Sequence, residues 1–223
     1  MVNRRLVAFV SAIALCITAT ALAPASSVAK DPILFVHGWS ESSSVWKTMI
    51  ANLEKDGYAK SELSAYSYNS NTSNKTLAET EVKSRVEALK KATGATKVDI
   101  IAHSMGSLNT RWYIKFVSGG EANVDDWVSL GGPNHGTSTA NLCFSAACVE
   151  MRVGSTFLSE LNAGDETPGS VSYGTWWSPC DEIINPDSSV ALSGATNTET
   201  ACISHSALMT DKTVYTQVRE FVK

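Results

Sequence analysis

Val98-Asp99-Ile100-Ile101-Ala102-His103-Ser104-Met105-Gly106 begins as an apolar run broken only by Asp99 and ends on small residues around a serine. Val98 to Ala102 reads as a strand buried on both faces. From Met105 onward, Leu108 and Trp112 fall on one helical face, and that helix is expected to end at Gly119-Gly120. A strand that becomes a helix within two residues must turn sharply. Ala102 and Gly106, two before and two after the serine, are residue types such a turn admits. Ser104 at its apex is then forced into a strained backbone conformation with its hydroxyl exposed. Ala stands here where the commoner pattern has Gly. The alternative is a serine that merely caps an ordinary helix, but the predicted strand-to-helix junction favours the tight turn.

Working outward, short apolar runs alternate with helical patterns. Ile33-Leu34-Phe35-Val36 is a second doubly buried strand, Leu63 to Tyr68 a third, and Val124 to Leu130 a fourth. Ser170 to Trp177 and Thr196 to Ile203 are further strand candidates. Between them, Ser42 to Ser44 can cap a helix with Val45, Met49 and Leu53 on one face. Asn74 or Thr76 opens another with Val82, Val86 and Leu89, and Asp211 caps a last one with Val214, Val218 and Phe221. This alternation predicts an α/β fold: a mainly parallel sheet of about six strands with helices on both faces. Pro133 to Ser170 breaks the rhythm, with one short helix expected at Phe157, Leu158 and Leu161. A connection this long is either functional or a surface excursion stapled by a disulfide.

The N-terminus has a different character. Arg4 and Arg5 precede the apolar stretch Leu6 to Ala23, and Ser27-Val28-Ala29 closes it with small residues. That layout reads as a secretory signal peptide over residues 1–29, rather than a membrane anchor. A single catalytic domain is then expected over 30–223, with 194 of the 223 residues left for one core. Losing the two arginines leaves 16 basic residues against 22 acidic, a net charge of −6. This excludes the basic stripe that a nucleic-acid partner requires. No other segment is apolar enough to insert stably in a membrane, and a secreted monomer is expected. Cys143, Cys148, Cys180 and Cys202 remain, an even number in an exported chain, so disulfides are expected in one of three pairings. A Cys180–Cys202 bridge would join the two loops that carry the acid and base candidates below. A zinc site lacks both a Cys-x2-Cys pair and histidines at ligand spacing.

A serine hydroxyl is a weak nucleophile unless a base takes its proton. Of four histidines, His37 ends the first strand, His103 adjoins Ser104 and would point away, and His135 lies in Gly131-Gly132-Pro133-Asn134-His135-Gly136. His205 follows the late strand and fits the chain order nucleophile, acid, histidine. The acid should follow a strand between Ser104 and His205. Asp181 is favoured over Glu182, with Asp165 and Asp187 as rivals and Asp125 and Asp126 too early, ahead of their strand. An oxyanion needs two backbone N–H donors. Met105 opens the helix after Ser104, and Trp39 follows His37-Gly38, where Gly38 offers a permissive backbone.

Asp31 to Gly38, Lys97 to Gly106, Val128 to Gly132, Cys180 to Ile184 and Leu192 to Met209 resemble the small lidless secreted bacterial lipases, class 2, of the α/β-hydrolase superfamily. Ala-His-Ser-Met-Gly is characteristic of that group, and the resemblance spans most of residues 31–222. It implies a carboxylic-ester hydrolase acting on a lipid or other ester, with no metal and no organic cofactor. It further implies Ser104 as nucleophile, Asp181 as acid, His205 as base, and Trp39 and Met105 as oxyanion donors. The chain departs from the smallest members between His135 and Gly169, where it is longer and carries extra cysteines. Met151 to Asn162 instead resembles a segment of other secreted class 2 lipases. Alternatives are a short-chain esterase, a cutinase-like polyester hydrolase or a phospholipase. From another class, the alternative is a secreted binding protein on an inactive hydrolase scaffold.

Overall fold

The apolar runs become strands: β1 (Ile33–Val36), β2 (Leu63–Tyr66), β3 (Val98–His103), β4 (Val124–Leu130), β5 (Ser172–Trp177) and β6 (Thr196–Glu199). In the computed structural model, which describes residues 1–2 and 30–222, all six lie parallel in one sheet of order β2-β1-β3-β4-β5-β6. The signal-peptide reading of 1–29, and Cys16 with it, falls outside the described residues. β1, β3, β4 and β5 each have two neighbours, so their backbone groups are paired and their side chains can be apolar on both faces. β6, an edge strand, is instead polar and largely exposed.

Among the described residues eight α-helices follow in chain order: α1 (Lys47–Lys55), α2 (Asn74–Leu77), α3 (Lys83–Thr93), α4 (Gly106–Phe116), α5 (Gly120–Asn123), α6 (Ala146–Met151), α7 (Thr156–Leu161) and α8 (Lys212–Phe221). A π-helical stretch, Ala78–Val82, joins α2 to α3, so the single helix expected there is one continuous element. Side chains alternate across each strand and divide the core in two. Ile33, Phe35, Ile101, Val128 and Leu130 pack on α1 and α8 through Met49, Leu53, Val214 and Val218. Leu34, Val36, Ile100, Ala102 and Trp127 face the other way, against Val82, Val86, Leu108 and Trp112. Asp211 caps α8 as expected, accepting from Thr213 N and Val214 N.

Four boundaries differ from the sequence reading. β2 ends at Tyr66, because Tyr68 leaves the sheet to stack on His37 at 4.1 Å. α4 ends at Phe116 rather than Gly119-Gly120, since Val117 turns extended and Gly119 opens α5. β6 stops at Glu199, beyond which the chain is held by Ser178 and a disulfide rather than by the sheet. The Pro133–Ser170 connection carries a 3-10 turn (Ser138–Leu142), α6 and α7, not one helix. It is packed down by α4. The buried Arg111 donates to Asn162 Oδ1 (3.0 Å) and Glu166 O (3.1 Å), while Lys115 Nζ reaches Leu161 O, Ala163 O and Asp165 O. The last carbonyl of α7 and two in the loop beyond it are thereby satisfied. The carboxyl ends of β1, β3 and β4 open on one edge of the sheet, where ligands bind in parallel α/β folds.

Candidate active site

At the end of β3 the chain turns into α4 through Ser104, whose φ is +53°. Among the described residues only Ser40 shares a positive φ without being glycine, at +57°, and both serines line one cleft. Left-handed backbone at a non-glycine residue costs about 1–3 kcal/mol and persists where the surroundings enforce it. Here Ser104 N is fixed by Leu130 O (2.9 Å) and Ser40 N by Ser70 Oγ (2.9 Å). Gly106 is required by space, because a Cβ there would lie 2.6 Å from Val36 O. Gly38 is also needed for space and not for backbone freedom, contrary to the sequence reading. A Cβ at Gly38 would meet Ser104 Cβ at 2.7 Å, and the positive φ falls on Ser40 instead.

Trp39 N–H and Met105 N–H donate to no protein acceptor among the described residues and sit on the loop after β1 and at the start of α4. The Trp39 ring is partly exposed, with its Nε1 donating to Asn71 Oδ1 at 3.2 Å.

Two loops meet opposite the turn. His205 Nδ1–H donates to Asp181 Oδ2 at 2.7 Å. Asp181 Oδ1 accepts from Ile183 N and Ile184 N, both at 2.9 Å, so this buried carboxylate accepts three hydrogen bonds in all. Burial would raise its pKa, but the bond from His205 and the two backbone donors outweigh that and hold it below the ordinary value. Burial lowers the pKa of His205, with the His103 charge adding to it and Asp181 opposing, so the imidazole is neutral at neutral pH. Its Nε2 is buried with no protein partner and lines the same cleft as Ser104. Neutral, with Nδ1 committed to Asp181, His205 offers a lone pair to a proton donor in the cleft.

The other sequence candidates lie elsewhere. Glu182 Oε2 accepts from the backbone N of His205 (3.0 Å), not from its ring. Asp165 and Asp187 bond locally to Thr167 and Ser188. Asp125 and Asp126 lie within β4 rather than ahead of it, at its amino end. His37 is spoken for at both nitrogens, Nδ1–H to Gly38 O (2.8 Å) and Nε2 from Tyr68 N (3.3 Å). His135 pairs with Glu166 at 2.8 Å.

The cysteines pair as Cys143–Cys148 and Cys180–Cys202. The second bridge joins the residue before Asp181 to the loop that leads to His205. Buried Ser178 reinforces it, donating to Ile203 O (2.6 Å) and accepting from Ile203 N and Cys180 N. Across a sequence separation of 22, the bridge stabilises the fold by about 3 kcal/mol through the unfolded chain. A Cys180→Ser/Cys202→Ser protein is expected to lose that amount in urea unfolding and to lose hydrolytic rate before it unfolds. Unchanged values for both would show the bridge to be idle.

Sequence reasoning missed Thr137, Ser178, Glu41 and the contact from His103. Thr137 ties the connection to the acid loop, with Oγ1 donating to Ile183 O (2.7 Å) and accepting from Asn185 N (3.0 Å). No sequence signal distinguishes it from neighbouring hydroxyls. Together these contacts enclose a cleft of about 520 Å³ floored by Ser104 and His205 and walled by Trp39, Ala140, Leu142, Met151, Ile183 and Ile184. Leu142 in that wall is itself largely exposed, and elsewhere on the same connection Phe144, Val149 and Val153 also expose apolar surface, Phe144 at 85%. No described helix is long and apolar enough to cross a membrane.

The sequence pattern that defines the class 2 lipases matches residues 30–221. Among solved structures, the mature lipase BlEst2 of Bacillus licheniformis aligns with TM-score 0.76 at 17% identity, over 91% of this chain and 96% of that one. Lipase B of Aspergillus fumigatus aligns with TM-score 0.72 at 18% identity over 83% of this chain, which spans only 51% of that longer protein. Phospholipase PlaB of Legionella pneumophila aligns less closely, with TM-score 0.57 at 16% identity over 67% of this chain and 39% of that one. At these identities the likeness to the solved structures is one of fold.

Proposed function

Because the chain belongs to the class 2 lipases and is a carboxylic-ester hydrolase, we propose that it is exported and cleaves acylglycerol esters through an acyl-enzyme on Ser104. The observation that carries this reading is the 2.7 Å bond from His205 Nδ1 to Asp181, with Nε2 unclaimed in the cleft that holds Ser104. Ser104 Oγ attacks the ester carbonyl as His205 Nε2 takes its proton. Trp39 N–H and Met105 N–H hold the oxyanion, and the positive end of α4 adds to their effect. His205 then returns the proton to the departing alcohol. Water, activated by the same imidazole, attacks the acyl-enzyme and frees the acid and Ser104. Asp181 keeps the imidazole in its Nδ1–H form and stabilises it while charged. Export is supported by the leader-like residues 1–29, with cleavage after Ala29, and by two disulfides in the remaining domain.

The apolar walls favour a lipid acyl chain over an acetyl group, at about 0.8 kcal/mol per methylene buried. On p-nitrophenyl esters, kcat/KM is expected to rise from acetate to octanoate. Its acid limb should lie below the pH 6.5 of a free imidazole, because burial lowers the pKa of His205 and the base works only unprotonated. Hydrolysis that peaks at acetate or butyrate would favour the short-chain esterase. No hydrolysis across the series would sink the lipase reading and leave the fold untouched.

A further inference from the structure

Glu41 and His103 take no part in the chemistry above, yet both are built against it. Glu41 Oε2 accepts from Gly38 N at 2.6 Å and bonds His103 Nδ1 at 3.0 Å. His103, fully buried, directs Nε2 to the backbone O of His205 at 3.2 Å, and its ring centroid lies 4.5 Å from that of His205. A carbonyl oxygen cannot donate, so Nε2 must carry a hydrogen. Nδ1 then shares the second proton with Glu41, and the pair is net neutral. One carboxylate thus touches the loop that carries Trp39 and the residue before Ser104, and through His103 it reaches the peptide of His205.

The backbone of His205 is gripped on both sides of its Cα, its N–H by Glu182 Oε2 and its C=O by His103 Nε2–H. Asp181 fixes the imidazole at Nδ1, but rotation of the backbone would still swing Nε2 away from Ser104. Glu41 also lines the cleft, and a Cβ on Gly38 would meet both Glu41 Oε2 (2.9 Å) and Ser104 Oγ (3.2 Å). A bare carboxylate that near the serine would oppose a developing oxyanion, and the proton shared with His103 cancels that charge.

We propose that Glu41 and His103 form a positioning pair for hydrolysis, in which Glu41 sets the Gly38–Trp39 loop and His103 holds the His205 peptide so that Nε2 faces Ser104. The proposal rests on the assignment of Ser104 and His205 as nucleophile and base. The groups that face the pair are His205 from the loop before α8, His37 at the end of β1, and the Tyr68 phenol beyond β2. At His205 the His103 charge lowers the pKa and Glu41 raises it, with His103 the larger influence.

The test compares Glu41→Gln, His103→Gln, the double variant and Ser104→Ala in the exported full chain. The readouts are kcat per site counted by exhaustive fluorophosphonate labelling, KM, the pH profile and urea unfolding. Glutamine at 41 can still accept from Gly38 N through its amide oxygen, but being neutral it no longer balances a second proton on His103. Each single variant is expected to lower kcat on the order of tenfold to a hundredfold with KM little changed, as a small misplacement of a reacting group does. The double variant should be no slower than the worse single, because the two act as one unit. His103→Gln should also move the acid limb of kcat/KM to higher pH, which a merely structural role would not do. The proposal is overturned by a normal kcat per labelled site, by additive losses, or by an unmoved acid limb. If Glu41→Gln does not fold, His103→Gln alone decides by the same readouts. An active Ser104→Ala would defeat the underlying assignment, whereas an inactive Ser104→Ala beside normal pair variants would defeat the pair alone.

Discussion

Ser104→Ala is expected to lower kcat/KM for ester hydrolysis by on the order of 10⁵-fold or more, with KM and the fold nearly unchanged. The rate is expected to fall because, in the proposed mechanism, the attacking oxygen is that of Ser104, at the apex of the β3–α4 turn in the cleft that His205 also lines. The fold survives because alanine keeps the Ser104 N–H bond to Leu130 O at 2.9 Å and meets the same +53° backbone. Glycine at this position separates the two effects. It should be equally inactive and more stable, since glycine adopts a positive φ without the cost borne by a residue with a Cβ. Hydrolysis within a hundredfold of wild type in either variant would mean that another group attacks the ester.

Asp181→Asn is expected to cost about 10⁴-fold in kcat while leaving the backbone in place. The reason lies in how the carboxylate is used. Oδ1 accepts from Ile183 N and Ile184 N, so an asparagine must put its carbonyl oxygen there. Its NH₂ then faces His205 Nδ1, where Asp181 Oδ2 had accepted at 2.7 Å. A donor at that point forces the imidazole into its Nε2–H form, which cannot take a proton from Ser104. Glu182 cannot substitute, because its carboxylate is engaged by the backbone N–H of His205. By contrast, Glu182→Gln should remain within a few-fold of wild type, since an amide oxygen still accepts that bond. Comparable losses in the two variants would show that the choice between these neighbouring acids is mistaken.

The contrast between Asp181 and Glu182 shows where sequence reasoning stopped. Both follow β5 and Cys180, and only the tertiary path of 183–184 and 205 gives each its own donors. The fold was more legible. β1 is buried on both faces and is a continuous apolar run, β3 and β4 keep apolar stretches at Ile100–Ala102 and Trp127–Val128 despite their aspartates, and Ser104 stands where the β3 stretch meets a helical pattern. The connection between β4 and β5 was only partly legible. α7 is the short helix expected at Phe157, Leu158 and Leu161, its end held by Arg111 and Lys115 from α4, whereas α6, six residues long, is too short to display a period. Glu41 in Ser40-Glu41-Ser42 reads as a solvated loop residue. Its partners come from β3 and from its own turn, and nothing local announces them.

The central claim, that Ser104 is the residue acylated during turnover, is tested most directly by mass spectrometry. The protein would be treated with a fluorophosphonate until hydrolysis stops, then digested and mapped. One adduct per molecule is expected, on the peptide that contains Ser104, with none in Ser104→Ala. An adduct on a different residue, or full loss of activity with the Ser104 peptide unmodified, would contradict it.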